Sequence, residues 1–228
     1  MKHMKKLLPV LLLITGLICI SLVSTAQKLY VPNFDSSWVK DQKPFRIAGN
    51  LYYVGTYDLA SYLISTSKGL ILINTGIPGS DTMIRQHVEA LGFRFSDIKI
   101  LLATHAHFDH VGAMAAIKKI TGAKLMIQKR DAHLLADGGS SDVIMGGHGP
   151  MFPPVKADRL LRDRDLIQLG EMQMLVLHHP GHTKGACSFL FSVKDEDREY
   201  RVFIANMPSI LDGTTFPGMP AYPTVGKD

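Results

Sequence analysis

A chain of 228 residues, 46% of them hydrophobic and 20% charged, is one sizeable globular unit with room for a substantial core. Its formal charge of +5 overstates the basic character, because Lys2, Lys5 and Lys6 lie in an N-terminal segment that reads as removable. Setting aside residues 1–26 leaves 22 basic and 20 acidic side chains, a net charge of +2 with no block of like charges, which excludes nucleic-acid recognition by charge.

That segment has a positive start, an apolar run from Leu7 to Val23, and Ser24-Thr25-Ala26 before Gln27. The pattern is that of a secretory signal peptide over 1–26. The apolar run approaches membrane-spanning length, but the small residues at its end favour cleavage, which leaves the mature chain off the membrane. Ile18 before Cys19 is too large for a lipoprotein site. Only Cys187 then remains, so no intramolecular disulfide is expected and the thiol reads as buried and structural.

Residues 27–44, with Pro32, Ser36, Ser37 and Pro44, read as an irregular N-terminal arm. Phe45 to Val54 and Leu59 to Thr66 read as strands around a Gly55–Asp58 turn, and Leu70 to Ile73 as another strand. Asp81 to Leu91 is amphipathic and predicts a helix, with Ser80 as N-cap and Gly92 as stop. Ile98 to Ala103 predicts a buried strand, Gly112 to Ile120 a helix, Lys124 to Ile127 a strand and Asp131 to Ala136 a short helix. Residues 137–157, rich in Gly, Ser and Pro, predict a long loop, a kind of segment that is commonly a lid or disordered. Strand-like runs follow at Leu166–Leu169, Met172–Leu177, Ala186–Phe191 and Tyr200–Ala205. The alternation is that of a mixed α/β chain.

One stretch carries the chemistry. Thr104-His105-Ala106-His107-Phe108-Asp109-His110 follows a buried strand and enters a helix, the position where open α/β sheets place their sites. In an extended segment residues two apart share a side, so His105 and His107 converge on one cation. The turn that follows lets Asp109 and His110 face a second position. Imidazole and carboxylate suit Zn²⁺, and zinc with an open position generates hydroxide near neutral pH.

The H-x-H-x-D-H pattern resembles that of the metallo-β-lactamase superfamily. The resemblance is nearest to the GOB-type enzymes of subclass B3. It extends through residues 44–63, through Ile71-Leu72-Ile73-Asn74-Thr75-Gly76, through His178-His179-Pro180-Gly181-His182-Thr183-Lys184-Gly185 and through Ile204-Ala205-Asn206-Met207-Pro208-Ser209. It implies a four-layer αβ/βα sandwich over residues 45–228, with one or two Zn²⁺ in a cleft. His182 would join His105 and His107 on the first zinc, and Asp109 and His110 would hold the second.

Asn74 stands where many members of that superfamily have an aspartate, so a supporting hydrogen bond and a simple turn role are both open. Met207 stands where thioester hydrolases of the fold place a bridging aspartate, and a thioether is a poor zinc ligand. In subclass B3 the last ligand of the second zinc is a histidine further on. None follows His182 here, so the sequence is expected to be incomplete at its C-terminus. By the same resemblance Ser209 stands near the substrate carboxylate, with an ordinary turn serine equally open, and some among Ile144, Met145 and Phe152 in the long loop are expected to offer apolar contacts to substrate. His148 in that loop reads as a surface histidine.

The implied activity is hydrolysis of the β-lactam amide bond of antibiotics by metal-bound hydroxide, conferring resistance, with Asp109 orienting the nucleophile. The expected setting is a monomer in the periplasm with a small-molecule β-lactam as its partner. A same-fold thioester or lactone hydrolase, or an inactive zinc-binding truncated product, are the alternatives.

Overall fold

The computed structural model describes residues 28–206 and 209–228; the predicted signal peptide and Met207 lie outside the described residues. Among the described residues no helix is long and apolar enough to cross a membrane.

The first sheet has seven strands in sequence order: β1 Phe45–Ala48, β2 Leu51–Tyr53, β3 Tyr62–Thr66, β4 Gly69–Ile73, β5 Ile98–Leu102, β6 Lys124–Gln128 and β7 Arg159–Leu161. The first four are joined antiparallel, and β4 to β7 run parallel. Parallel neighbours need crossovers, and helices supply them. These are α1 Asp81–Ala90, then α2 Phe108–Val111 with α3 Met114–Thr121, then α4 Ala132–Ala136. The second sheet has four antiparallel strands, β8 Leu166–Leu169, β9 Met172–His178, β10 Cys187–Asp195 and β11 Arg198–Ile204, in the order β11-β10-β9-β8.

Two apolar clusters define the layers. Ile84 and Val88 of α1, Met114 and Ile117 of α3, and Leu134 and Leu135 of α4 pack on Leu63, Leu72, Leu101 and Leu125 of the first sheet. The opposite face of that sheet, through Ile64, Ile71, Ile100 and Leu102, packs on Met174, Val176, Phe189 and Phe191 of the second sheet. Strand alternation sends odd and even residues to the two clusters. The order is helices, sheet, sheet, which is three of the four expected layers. On the outward side of the second sheet, Leu166, Leu175, Leu190 and Phe203 are paired neighbours across all four strands, with Leu166 and Phe203 exposed.

Several local expectations change. The predicted strand Phe45–Val54 is a hairpin, because Gly49 takes φ 50 and turns the chain between β1 and β2. A Cβ there would also collide with the Lys194 carbonyl oxygen. The helix expected to start at Gly112 is two helices meeting at that residue, where a side chain would strike Ile77 and Pro78. Ser80 makes no capping hydrogen bond to α1. The arm before β1 holds one 3₁₀ turn, Ser36–Val39, and touches the body through the Asp41–Thr56 bridge and the bond from Tyr30 N–H to the Pro150 carbonyl. β7, three residues long, gave no readable run.

Candidate metal centre

Strands β4 and β5 end side by side, and both hand over to loops at the same sheet edge. Asn74, just after β4, sits at φ 60, a left-handed conformation that asparagine tolerates better than most residues. Its Oδ1 accepts the Thr104 N–H at 3.0 Å, so it pins the start of the histidine loop as well as turning its own chain. Thr75 N–H donates to the His110 carbonyl at 2.7 Å and fixes the far end of that loop. The second sheet delivers the other loop: β9 stops at His178, and residues 179–186 lead to β10. Cys187 N–H donates to the Thr104 carbonyl at 2.8 Å, joining the two sheets at the site.

This arrangement brings His105, His107 and His182 together. Their ring centroids form a triangle with sides of 4.6, 4.5 and 4.7 Å. One ligand atom from each lies within 4.8 Å of the others. Each ring spends its other nitrogen on an outside acceptor. His105 Nδ1–H donates to Asn206 Oδ1 at 2.7 Å, His107 Nε2–H to Asp142 Oδ2 at 3.0 Å, and His182 Nδ1–H to the Ser209 carbonyl at 2.9 Å. Those bonds turn His105 Nε2, His107 Nδ1 and His182 Nε2 toward one another, with His107 Nδ1 3.0 Å from His182 Nε2; in the neutral tautomers the three present converging lone pairs.

His105 Nε2 is buried with no hydrogen-bond partner, a costly condition unless a cation takes the lone pair. Three imidazoles with one such orphan fit Zn²⁺. A proton is disfavoured on two of the three rings. Burial, and then the neighbouring His110, His107 and His182, hold His105 well below the ordinary histidine range. Burial and His107 bring His182 to about 4. Neutral imidazole is the form that binds metal.

Asp109 and His110 form a second group with His105, again with ligand atoms within 4.8 Å. The two are a local pair, Asp109 Oδ2 to His110 Nε2 at 3.3 Å, and their side chains are 15% and 17% exposed. Burial raises the Asp109 carboxyl, but the bond from His110 and the charges of His110 and His107 outweigh it, so Asp109 sits below its usual range.

One residue that the sequence reading placed at a helix start ties the loops together. The Asp131 carboxylate, 1% exposed, accepts from Ala106 N–H at 3.0 Å, the Thr183 hydroxyl at 2.7 Å and Gly185 N–H at 2.6 Å. It therefore grips the residue between His105 and His107 and the residues either side of Lys184, which follow His182 closely. A Cβ at Gly185 would lie 2.6 Å from the Asp131 carboxyl carbon, so only glycine admits this contact. Burial raises the Asp131 pKa, and the three donors only partly offset it. Nothing in the spacing around Asp131 marks it; a lone aspartate between Arg130 and Ala132 looks like any helix start.

The other candidates fall in different places. Ile144 lines a pocket that also holds His182, Asp142 and Tyr222. Met145 is half-buried and packs on the helix-side core. Phe152 is 0% exposed, in contact range of Gly139 inside that core, so the expectation that it touches substrate is corrected: an aromatic in a loop was drawn into the nearest apolar cluster. Ser209 is exposed, with its hydroxyl 3.3 Å from His182 Nδ1. His148 is exposed and lies against Tyr30, with ring centroids 4.9 Å apart. His178 donates to the Lys184 carbonyl, and His179 pairs with Ser188 at 2.6 Å. Cys187 is buried, and burial pushes its thiol pKa up.

With this geometry in view, comparisons with known proteins are specific. Residues 56–195 match the family model of the metallo-beta-lactamase superfamily. Among solved structures, the chain is 64% identical to a beta-lactamase from Chitinophaga pinensis, covering 88% of this chain and 75% of that one, with a TM-score of 0.84. It is 57% identical to the class B3 di-zinc metallo-beta-lactamase LRA-12 from an Alaskan soil metagenome, over 87% and 76% of the two chains, TM-score 0.85. It is 52% identical to the metallo-beta-lactamase GOB-18 from Elizabethkingia meningoseptica, over 89% and 76%, TM-score 0.87. Curated relatives match over less of their length: the chain is 32% identical to the uncharacterized protein YobT of Bacillus subtilis, over 61% of this chain and 59% of that one, and 31% identical to a hydroxyacylglutathione hydrolase of Bradyrhizobium sp., over 73% and 54%.

Proposed function

The chain belongs to the metallo-β-lactamase superfamily, and on that premise we propose that it is a zinc-dependent hydrolase of the β-lactam amide bond. The observation that carries this reading is the imidazole triad, drawn from two sheets, with a buried, unpartnered nitrogen on His105 that a cation would satisfy. The identity of 52% to 64% to class B3 and related β-lactamases supports the substrate class.

His105, His107 and His182 would hold the first zinc, and Asp109 and His110 would contribute to a second. Bound there, zinc would supply Lewis acidity and bring the pKa of a bound water toward neutrality. The protein's own part is positional. Asp109, kept ionised, accepts a hydrogen bond from the attacking water and aims it at the lactam carbonyl. Asn206, Asp142 and the Ser209 carbonyl fix the three imidazoles, so that no reorganisation is needed during the reaction. Ile144, which shares a pocket with His182, would offer an apolar contact, and the exposed Ser209 hydroxyl would donate to a substrate carboxylate. Residues 1–26 support export to the periplasm, and the biological role is resistance to β-lactam antibiotics by a monomeric enzyme.

The thioester-hydrolase reading is not favoured. The three solved structures described above carry β-lactamase names, and methionine at position 207 supplies no bridging carboxylate. The test is hydrolysis of a chromogenic cephalosporin by the metal-loaded chain, lost on chelation and restored by zinc. Turnover of thioesters with no turnover of any cephalosporin or carbapenem would overturn the proposal.

A further inference from the structure

The geometry points to Asp142 as a positioning residue that couples the first metal site to the wall of the substrate pocket through one carboxylate. The inference rests on the metal-site reading above, and it adds a residue which neither the motif nor the spacing of the histidines contains.

Asp142 lies in the long loop between α4 and β7, yet its side chain is only 6% exposed. Its two oxygens do different work. Oδ2 accepts from His107 Nε2–H at 3.0 Å. Oδ1 accepts from the backbone N–H groups of Ile144 at 2.9 Å and Met145 at 2.7 Å, an Asx-type turn that sets the direction of the loop. The backbone adds to the lock: Gly146 N–H donates to the Asp142 carbonyl at 3.2 Å, and a Cβ at Gly146 would meet that same carbonyl oxygen. The turn places Asp142 and Ile144 in one pocket wall with His182.

The consequence is a shared lever. A carboxylate behind a ligating imidazole fixes the ring plane and raises its basicity, and loss of such a partner costs ~10–100-fold in metal affinity. The same group, by holding the Ile144 amide, decides whether Ile144 faces the pocket. The loop is thereby registered to the metal ligand instead of floating over it. Only a carboxylate serves both ends. An amide has one acceptor oxygen; if that oxygen keeps the two loop amides, its NH₂ faces the His107 N–H, donor against donor.

That chemistry gives a separation. In the full chain, Asp142→Asn should keep the loop turn and weaken zinc at the first site by ~10-fold or more, read by competition with a chromophoric chelator. The d–d band of the cobalt-substituted protein should move, because the His107 ring is no longer held. KM for a chromogenic cephalosporin should stay within twofold of the parent. Asp142→Ala should show the same loss of zinc affinity together with a rise in KM, since both ends are cut. Ile144→Ala should raise KM and leave zinc affinity and the cobalt spectrum unchanged.

Parental zinc affinity in both Asp142 variants would overturn the coupling. So would an equal rise in KM for Asp142→Asn and Asp142→Ala, because the loop would then not depend on Oδ1. Failure of the parent chain to turn over any β-lactam would instead count against the proposed function, and the zinc and cobalt measurements would still decide this inference.

Discussion

The two halves of the metal centre are built on different principles. In the triad, every imidazole is braced by a group far away in sequence: His105 by Asn206, His107 by Asp142 and His182 by Ser209. The brace comes from another loop or from the end of the second sheet. Asp109 and His110 instead find their partners within their own loop, each other and the Thr104 hydroxyl 3.3 Å from His110 Nδ1, and stay partly open. Long-range bracing makes a site whose geometry is paid for when the chain folds; a neighbour pair makes one that a ligand must still organise. The first half should therefore bind metal tightly and as a unit, the second more weakly and independently.

The largest effect that would break this comparison is removal of the metal. Chelation should lower turnover of a cephalosporin by ~10³-fold or more, restored by zinc, as measured in a steady-state assay. The two halves then separate by mutation. His182→Ala should lower zinc affinity by more than ~100-fold, because a catalytic site with two protein ligands is no longer closed on its protein side. His110→Ala should leave one tight zinc per chain in an equilibrium titration. Loss of both equivalents with His110→Ala would show that the halves are one site.

Asp131 tests the bracing at one remove. Asp131→Ala strands the donors of Ala106, Thr183 and Gly185 and should lower unfolding stability by about 3 kcal/mol, read from urea midpoints at unchanged m-value. Zinc should recover part of that loss, since it binds the folded chain alone.

The histidines give a pH signature to the metal-free protein. His105 and His182 are held below the ordinary 6.5, so folded they bind fewer protons than unfolded. Their contribution to stability is present above pH 6.5 and is lost as pH falls through about 4 for His182. Urea unfolding of the chelated chain at pH 7 and pH 4.5 measures it; equal midpoints would mean that the lone pairs are not buried as described. The smallest effect is expected at Asn74. Asn74→Ala removes the bond to Thr104 N–H and puts alanine at φ 60; it should cost about 2 kcal/mol while leaving zinc stoichiometry intact.

Much of the architecture was legible because burial writes a period into the chain. β5 lies within the apolar run Ile98–Ala103, α1 within the amphipathic run Asp81–Leu91, and the loop 137–157 holds no strand or helix. The errors have one cause. Gly49 and Gly112 break elements for reasons of contact with Lys194, Ile77 and Pro78, which are distant in sequence or belong to another loop. Phe152 looked like a loop aromatic available to ligand, but a core with space for it was decisive.

For the site, the sequence by itself determined the ligand types and the local pairings. His105 and His107 two apart in an extended segment, with Asp109 and His110 on the turn beyond, specify a metal loop, since side-chain direction follows from backbone geometry alone. The place of His182 came from likeness to relatives. The tertiary structure alone decided what stands behind those ligands. Asp131 and Asp142 are single aspartates with no spacing to mark them, and a hydrogen bond between residues 35 or 54 positions apart leaves no period in the chain. Only folding, which carries a buried carboxylate to donors that nothing else can satisfy, turns an ordinary helix start and an ordinary loop residue into the frame of the centre.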